Sequence, residues 1–574
     1  MLKSLKVPLS GVRFLVIVVL LLGVFFRFVN LDQKVYWGDE AYSSLRIAGY
    51  TTEEVVEATY TGQEIGVEEL QKYQRPNTER GLVDTLKVLA SEDSIHPPLY
   101  YIKARFWEQL FGSSVAVKRS LPALISLLAF PCLYWLCLEL FNSSLTAWVA
   151  LALVAVSPIH LLYAQEVREY SLWTVSVLLS SASLLYALRV QTKWSWRIYA
   201  LTLALALYSH LFSGMVAIAQ GIYIFIRERF HYSQRLKSYL VAATSGLLLF
   251  SPWLFIFLHN KRQAYEQWEW TTESLSPLKF YQSWLTNLIR GFLDVQVASQ
   301  DSFSLLFSYD SPITYLMPLI FLLVAYAIYF LFRQAPKSVS LFVLILMAAT
   351  TLPLVLLDLK SGGQRSTIAR YHLPSYLGIQ LAVAYLLSTK LSNIALSRWQ
   401  FMFWRFVTII LISCGILSCS LVAQSDTWWT KYSDYYNAQV AEIINHSPAP
   451  LLWSDSNYNR VLSMSYALDP KVRLQLVNIP EEDTEFSQSK SYLRLLQSLS
   501  NPFFSKEKEV QALSQEKLAE TSKNFSDVFL LEITPPTSLL RSELQKYKNY
   551  KFELVYEEKI SFKDRKTLLW RLVK

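Results

Sequence analysis

Cysteine is scarce. There are four in 574 residues, Cys132, Cys137, Cys414 and Cys419, all inside apolar runs, which excludes a disulfide framework and a cysteine-built zinc site. Charge is scarce as well: Asp, Glu, Lys and Arg make up 17% of the chain against 52% hydrophobic residues, more apolar surface than a soluble chain of this length can bury. Seven histidines leave little room for a tight transition-metal site. No internal repeat, low-complexity linker or glycine-rich nucleotide loop is present. The net charge of +9 does not imply a nucleic-acid partner, because the Lys and Arg residues lie mostly in short loops between apolar runs, where membrane orientation accounts for them.

The apolar runs approach the roughly 20 residues that cross a ~30 Å hydrocarbon core, recur from Phe14 to Val422 and then stop. Eleven are predicted to span as helices: 14–29, 121–140, 145–163, 172–188, 198–210, 212–226, 239–258, 313–332, 339–357, 373–387 and 406–422. The first follows Lys3, Lys6 and Arg13 like a secretory signal. Phe25, Phe26, Arg27 and Phe28 then stand where small cleavage-site residues belong, so it reads as a retained span. With the N-terminus inside, the loops carrying Arg189/Lys193/Arg197, Arg227/Arg229/Arg235/Lys237, Arg333/Lys337 and Lys390/Arg398/Arg405 all fall in the cytoplasm. The same rule folds 198–226 into a hairpin turning at 210–214. It also keeps 97–111 out of the core as an interfacial helix anchored by Leu99, Tyr100, Phe106 and Trp107.

The expected architecture is a multi-pass α-helical membrane domain over residues 1–423, with a first external loop at 30–119, and an external soluble α/β domain at 424–574. In the latter, strands at 451–454, 472–477, 528–533, 551–557 and 567–573 alternate with polar helices around Leu493 and Val510.

On this threading, polar residues gather on the external face: Gly38-Asp39-Glu40, His96-Pro97-Pro98, Gln165 to Tyr170, His210, and Arg365, Arg370, Tyr371 and His372. Paired carboxylates suit a base that takes a hydroxyl proton, and arginines suit a phosphate that is held and later released. Each has a plainer reading. Asp39 and Glu40 would cap a short helix at 41–48, Arg168 and Arg370 would snorkel to the headgroups, His96-Pro97-Pro98 would start a helix, and His210 would be a hydrogen-bonded structural residue. Trp268 and Trp270 would join an interfacial belt or stack on sugars. The convergence favours group transfer from a lipid phosphate. No protein-built metal site is assigned, and a divalent cation held between Asp39 and a donor phosphate is the one cofactor the residues accommodate.

At these residues the sequence resembles the C-type glycosyltransferase superfamily, in the branch of protein O-mannosyltransferases and bacterial aminoarabinose transferases. The ordered set is Gly38-Asp39-Glu40, His96 to Tyr101, Lys118 to Ala123, Gln165 to Leu172, Tyr208-Ser209-His210 and Arg370-Tyr371, over roughly the N-terminal two-thirds. The resemblance implies an inverting transfer from a polyprenyl-phosphate-linked sugar to a protein, lipid or glycan acceptor outside the cytoplasm. Asp39 would be the general base and Glu40 would shape the donor or acceptor site. Arg168 and Arg370 would hold the carrier phosphate, with His96, Glu166, Tyr170, His210 and Tyr371 completing the substrate site. Residues 51–94 depart from the pattern in being rich in Glu and Gln, and 424–574 match no familiar acceptor-recognition module. A transporter or flippase for a lipid-linked saccharide and a catalytically inactive relative are the alternatives. The C-terminal Leu572-Val573-Lys574 is no ER-retention signal, which, with the lack of external cysteines, makes a bacterial plasma membrane the expected location.

Overall fold

The computed structural model describes residues 9–295, 312–431, 434–477, 524–533, 551–560 and 565–573. The helices expected around Leu493 and Val510 lie outside the described residues. The chain divides into two compact units, Met1–Lys34 with Thr85–Ser425 and Val35–Asp84 with Asp426–Lys574. Residues 35–84 of the first loop therefore belong with the C-terminal segment, not with the helical domain to which sequence alone assigns them.

The first unit is helical, and all eleven apolar runs lie in helices. Among the described residues six helices are long and apolar enough to cross a membrane, or seven if a bent pair counts as one span. The most apolar stretch of Tyr170–Val190 is 89% buried against 22% for Gln234–His259, so the former runs through the bundle interior and the latter along its periphery. Small residues permit this: Ser176, Ser180 and Ser183 return their hydroxyls to carbonyls three residues back and let neighbouring helices approach. The hairpin is present. Tyr199 Oη donates to Gln220 Oε1 at 2.8 Å, whereas an unbroken helix would separate these residues by about 30 Å.

The helix expected at the interface spans Leu99–Phe111. Phe106, Leu110 and Phe111 face outward, but Tyr100 is fully buried and is no lipid anchor. Its side of the helix carries Arg105, which donates to Thr85 Oγ1 at 3.0 Å, and Glu108, 3.7 Å from Lys118. Tyr100 meets the Tyr101 ring edge-on at 5.6 Å.

The bundle contains a sharp break, where Ser144–Ala155 and Pro158–Ala164 meet at 61°. Pro158 cannot continue the preceding hydrogen-bond ladder, so carbonyls are left open in an apolar surround. Arg27 takes them: its Nη1 donates to Ala155 O at 2.8 Å and Gly23 O at 2.7 Å, Nη2 to Val154 O at 3.4 Å, and Nε to Ser126 Oγ at 3.1 Å. Ser157 Oγ donates to Gly291 O at 2.8 Å and accepts from Gln380 Nε2 at 2.9 Å, while Gln380 Oε1 meets His160 Nε2 at 3.0 Å. Two glycines let flanking helices touch the break: a Cβ on Gly23 would lie 2.6 Å from Ala155 O, and one on Gly415 2.5 Å from Val156 O.

The second unit is built on a mixed six-stranded sheet. Its strands are β1 (Thr61–Gly66), β2 (Pro450–Ser454), β3 (Arg473–Val477), β4 (Asp527–Ile533), β5 (Lys551–Ile560) and β6 (Arg565–Val573), in the order β1-β3-β2-β4-β6-β5. β2 is parallel to both β3 and β4 and is buried throughout, as a central parallel strand should be. The other pairs are antiparallel. Leu451, Trp453, Val528, Leu530 and Leu572 form the core of one face. The five strands expected after residue 424 are present, and β1 is a sixth contributed by the first loop. The polar composition of that loop now has a reason: Gln71 Nε2 donates to Ser465 O at 2.7 Å and Gln74 Nε2 to Leu462 O at 3.1 Å, stitching it to the C-terminal segment.

Candidate active site

In the helical unit the break delivers the turn after Ala164 into the interior, where residues 165–170 are all buried. Gln165 fixes the turn, its Nε2 donating to Phe26 O at 2.8 Å and Val29 O at 3.1 Å while its Oε1 accepts from Lys34 Nζ at 3.1 Å. Arg168 Nη2 lies 2.7 Å from His96 Nε2. A guanidinium only donates, so His96 accepts at Nε2 and carries its proton on Nδ1, 2.6 Å from Oδ1 of the buried Asp93. Glu169 is wholly buried and sits 3.6 Å from both Arg168 Nε and His96 Nε2. Burial works against its charge, but the Arg168 guanidinium prevails and holds the Glu169 carboxyl down at about 2.

Aromatic rings wall this cluster. Trp173 stacks on His210 at 4.2 Å and 15°, and Tyr170 lies 5.0 Å from Tyr163 and 6.1 Å from His210. The Arg168 guanidinium is 5.8 Å over the Tyr170 ring. Phe212 contacts Tyr371 at 5.0 Å and Trp268 at 5.8 Å, and Arg370 lies over the rings of Tyr371 and Trp270 at 5.8 and 5.9 Å. The Tyr163 phenol feels the charges of both Glu166 and Arg370. The structure thus brings together His96, Glu166, Arg168, Tyr170, His210, Arg370 and Tyr371. Trp268 and Trp270 are half-buried, in ring contact with Phe212 and Arg370.

The turn that carries Arg370 is anchored from below. Asp358 Oδ2 accepts from the Ser366 N–H and Oγ, both at 2.7 Å, and Oδ1 accepts from Arg365 Nη1 at 3.1 Å. His372 Nε2 donates to Ser366 O at 2.9 Å, while Nδ1 faces Thr351 Oγ1 at 2.8 Å. Burial lowers the His372 pKa to about 4, so the imidazole is neutral in this role.

Asp39 and Glu40 belong to the other unit, at the start of the helix Gly38–Ala48. Glu40 is fully buried, reaches back to the Trp37 N–H at 3.4 Å and pairs with Lys431 Nζ at 2.8 Å. The helix starts three residues earlier than expected, with Trp37 and not an acidic residue at its N-cap, and Glu40 caps it from the third position, bound to scaffold. Asp39, one residue earlier, is half-buried. Among the described residues no group of three or more His, Cys, Asp or Glu side chains could hold a metal ion.

Four residues of the cluster have no role assigned from sequence. Asp93 stands three positions before His96, Glu169 directly follows Arg168, and Trp173 is one turn further, so local spacing could have found them. Arg290 carries no such signal. It is buried, donates from Nη1 to Asn287 Oδ1 at 2.9 Å, and has its pKa lowered by burial against the opposing charge of Asp294. Its charge reaches Tyr376 and Tyr163.

The helical unit of a multi-pass membrane protein thus holds Arg168 and Arg370 among aromatic rings, beside the broken apolar helix. The family profile "Dolichyl-phosphate-mannose-protein mannosyltransferase" matches residues 95–256, which include His96, Arg168, Glu169 and His210. The structure is similar to that of ArnT from Cupriavidus metallidurans bound to undecaprenyl phosphate, with a TM-score of 0.52 and 12% identity over 98% of each chain. An oligosaccharyltransferase of Archaeoglobus fulgidus in its apo form is similar at a TM-score of 0.47, with 12% identity over 90% of this chain and 69% of its own. Against curated protein sequences the chain has no match. Over nearly its whole length the chain shares the fold of that ArnT.

Proposed function

We propose that the chain is a glycosyltransferase that moves a sugar from a polyprenyl-phosphate donor to a protein, lipid or glycan acceptor on the non-cytoplasmic face of a bacterial plasma membrane. The observation that carries this reading is the buried Arg168 with its ionised neighbour Glu169 and acceptor partner His96, inside the segment matched by the mannosyltransferase profile. Glu169 offsets the charge of Arg168 in the resting protein, and a lipid phosphate would supply further negative charge that Arg168 and Arg370 can bind. In the reaction the acceptor hydroxyl gives its proton to Asp39 while its oxygen attacks the anomeric carbon. The bond from that carbon to the phosphate oxygen breaks, and the electron pair leaves on the carrier phosphate, where the arginines stabilise it. Attack opposite the leaving group inverts the anomeric centre.

A divalent cation shared by Asp39 and a donor phosphate fits the half-buried Asp39, but Glu40 is committed to Lys431. The donor would have to provide the remaining ligands. Treatment with EDTA followed by magnesium or manganese add-back tests this, and activity unchanged by chelation removes the cation from the reading.

The transporter reading draws on the helix broken at 61°, yet Pro158 gives that break a structural cause and Arg27 binds its open carbonyls at Ala155 and Val154. The deciding experiment is transfer of radiolabelled sugar from a panel of polyprenyl-phosphate sugars in lipid. Asp39→Asn is expected to lower kcat by ~10²–10⁴-fold without loss of fold. Full transfer by that variant would remove Asp39 as the base, and no transfer from any donor would favour the transporter or the inactive relative.

A further inference from the structure

We propose that Lys431 and Asp434 are positioning residues that set the geometry of Asp39, an inference that rests on the reading of Asp39 as the base. The two neighbours of Asp39 are immobilised by one short stretch of the C-terminal segment. Asp434 Oδ2 accepts the Gly38 N–H at 2.8 Å, and its Oδ1 is held by Asn437 Nδ2 at 3.0 Å and Ser463 Oγ at 2.7 Å. Lys431 Nζ pairs with Glu40 Oε2 at 2.8 Å, both side chains buried, and stands 5.4 Å over the Trp37 ring. Asn459 closes a third side: a Cβ on Gly38 would meet its Nδ2 at 2.7 Å and Asp434 Oδ2 at 3.3 Å.

The clamp answers a local weakness. Gly38–Ala48 has 11 residues, short enough to fray at its first turn when unsupported, and the bond from Glu40 to the Trp37 N–H is long at 3.4 Å. Asp434 supplies a carboxylate to an N–H at the positive end of the helix. Lys431 offsets the charge of Glu40, a buried carboxylate one residue from Asp39. With Gly38 and Glu40 fixed, the backbone of Asp39 is fixed, and its carboxylate has only its own side-chain torsions to vary. A catalytic group must stay within roughly 0.5 Å of its productive position, and the precision here comes from residues 396 and 391 positions away in the chain.

The test uses the full chain in lipid with the donor that supports transfer. Lys431→Gln and Asp434→Ala are each expected to lower kcat by ~10–100-fold with the donor KM within about twofold of wild type. Lys431→Arg, which keeps the charge, should recover most of the loss, whereas Asp434→Asn, which keeps one acceptor oxygen and loses the other, should recover only part of it. A second readout needs no activity: a nitroxide on Asp39→Cys should gain mobility in the Lys431→Gln and Asp434→Ala backgrounds, while one on Glu553→Cys should not. Unchanged kcat in both folded variants, a rise in KM alone, or an unchanged spectrum at position 39 would overturn the proposal. Wild-type transfer by Asp39→Asn together with a mobilised label would instead sink the base assignment and leave the clamp standing.

Discussion

Arg168 is held by two different kinds of partner, His96 and Glu169, and the carboxylate ties stability to pH. Glu169 has its pKa depressed from the usual 4.5 to about 2, so the stability it contributes is fully present above about pH 4.5 and is lost as pH falls towards 2. Glu169→Gln should therefore unfold earlier than wild type by about 3 kcal/mol between pH 5 and 8, and the difference should shrink on acidification. Thermal unfolding from neutral pH down into the acid range in one detergent checks it, and a deficit independent of pH would mean that packing, not charge, is lost. Of the site residues, those with unusual chemistry at the edge of apolar runs are readable from sequence, because charge there needs an explanation. Arg290 is not, since what makes it notable is burial beside Tyr376 and Tyr163, and only tertiary packing creates that.

The apolar helices are readable because each is a long run with little charge, and the hairpin because charge asymmetry demands it. The break between Ala155 and Pro158 is not. Hydropathy continues across it, and its stabilisers, Gly23, Arg27, Gln380 and Gly415, come from other helices. That dependence is testable through glycine. Gly415→Ala would drive a Cβ to 2.5 Å from Val156 O, backbone that cannot swing away, and should cost about 1–3 kcal/mol. Gly214→Ala meets nothing within 4 Å and should be neutral or stabilising by about 0.5–1 kcal/mol. Thermal unfolding of the two variants in the same detergent decides it, and equal behaviour would show the break to be more pliable than its contacts imply. Because the turn bearing Arg168 begins where Pro158–Ala164 ends, Gly415→Ala should also weaken donor binding.

For the whole chain, the expected domain boundary near residue 424 captures five strands but misses that β1 completes the same sheet. A run of Thr-Gly-Gln-Glu-Ile-Gly has no strand-like alternation, and its pairing with β3 is supported across the chain by Gln475 Nε2, which donates to Gly62 O. A fragment covering 426–574 should accordingly show weak, fast-exchanging amides in β3, and one joining 35–84 to 426–574 through a linker should show protection there. Hydrogen exchange on the two fragments distinguishes them, and equal protection would mean that the C-terminal segment folds alone.

Gln475 Nε2 meets Gly62 O across 413 residues of sequence. At roughly 5–20 residues per second of synthesis, β1 emerges about 20–80 seconds before its partner strand exists. Throughout that interval the helices of the other unit are being inserted, and the first loop must remain an unattached strand edge. A more apolar segment would be exposed to aggregation while it waited. Glu64, Gln71 and Gln74 thus serve the protein twice, first as part of a solvated holding state during its manufacture and later as partners of Arg473, Ser465 and Leu462 in the finished unit.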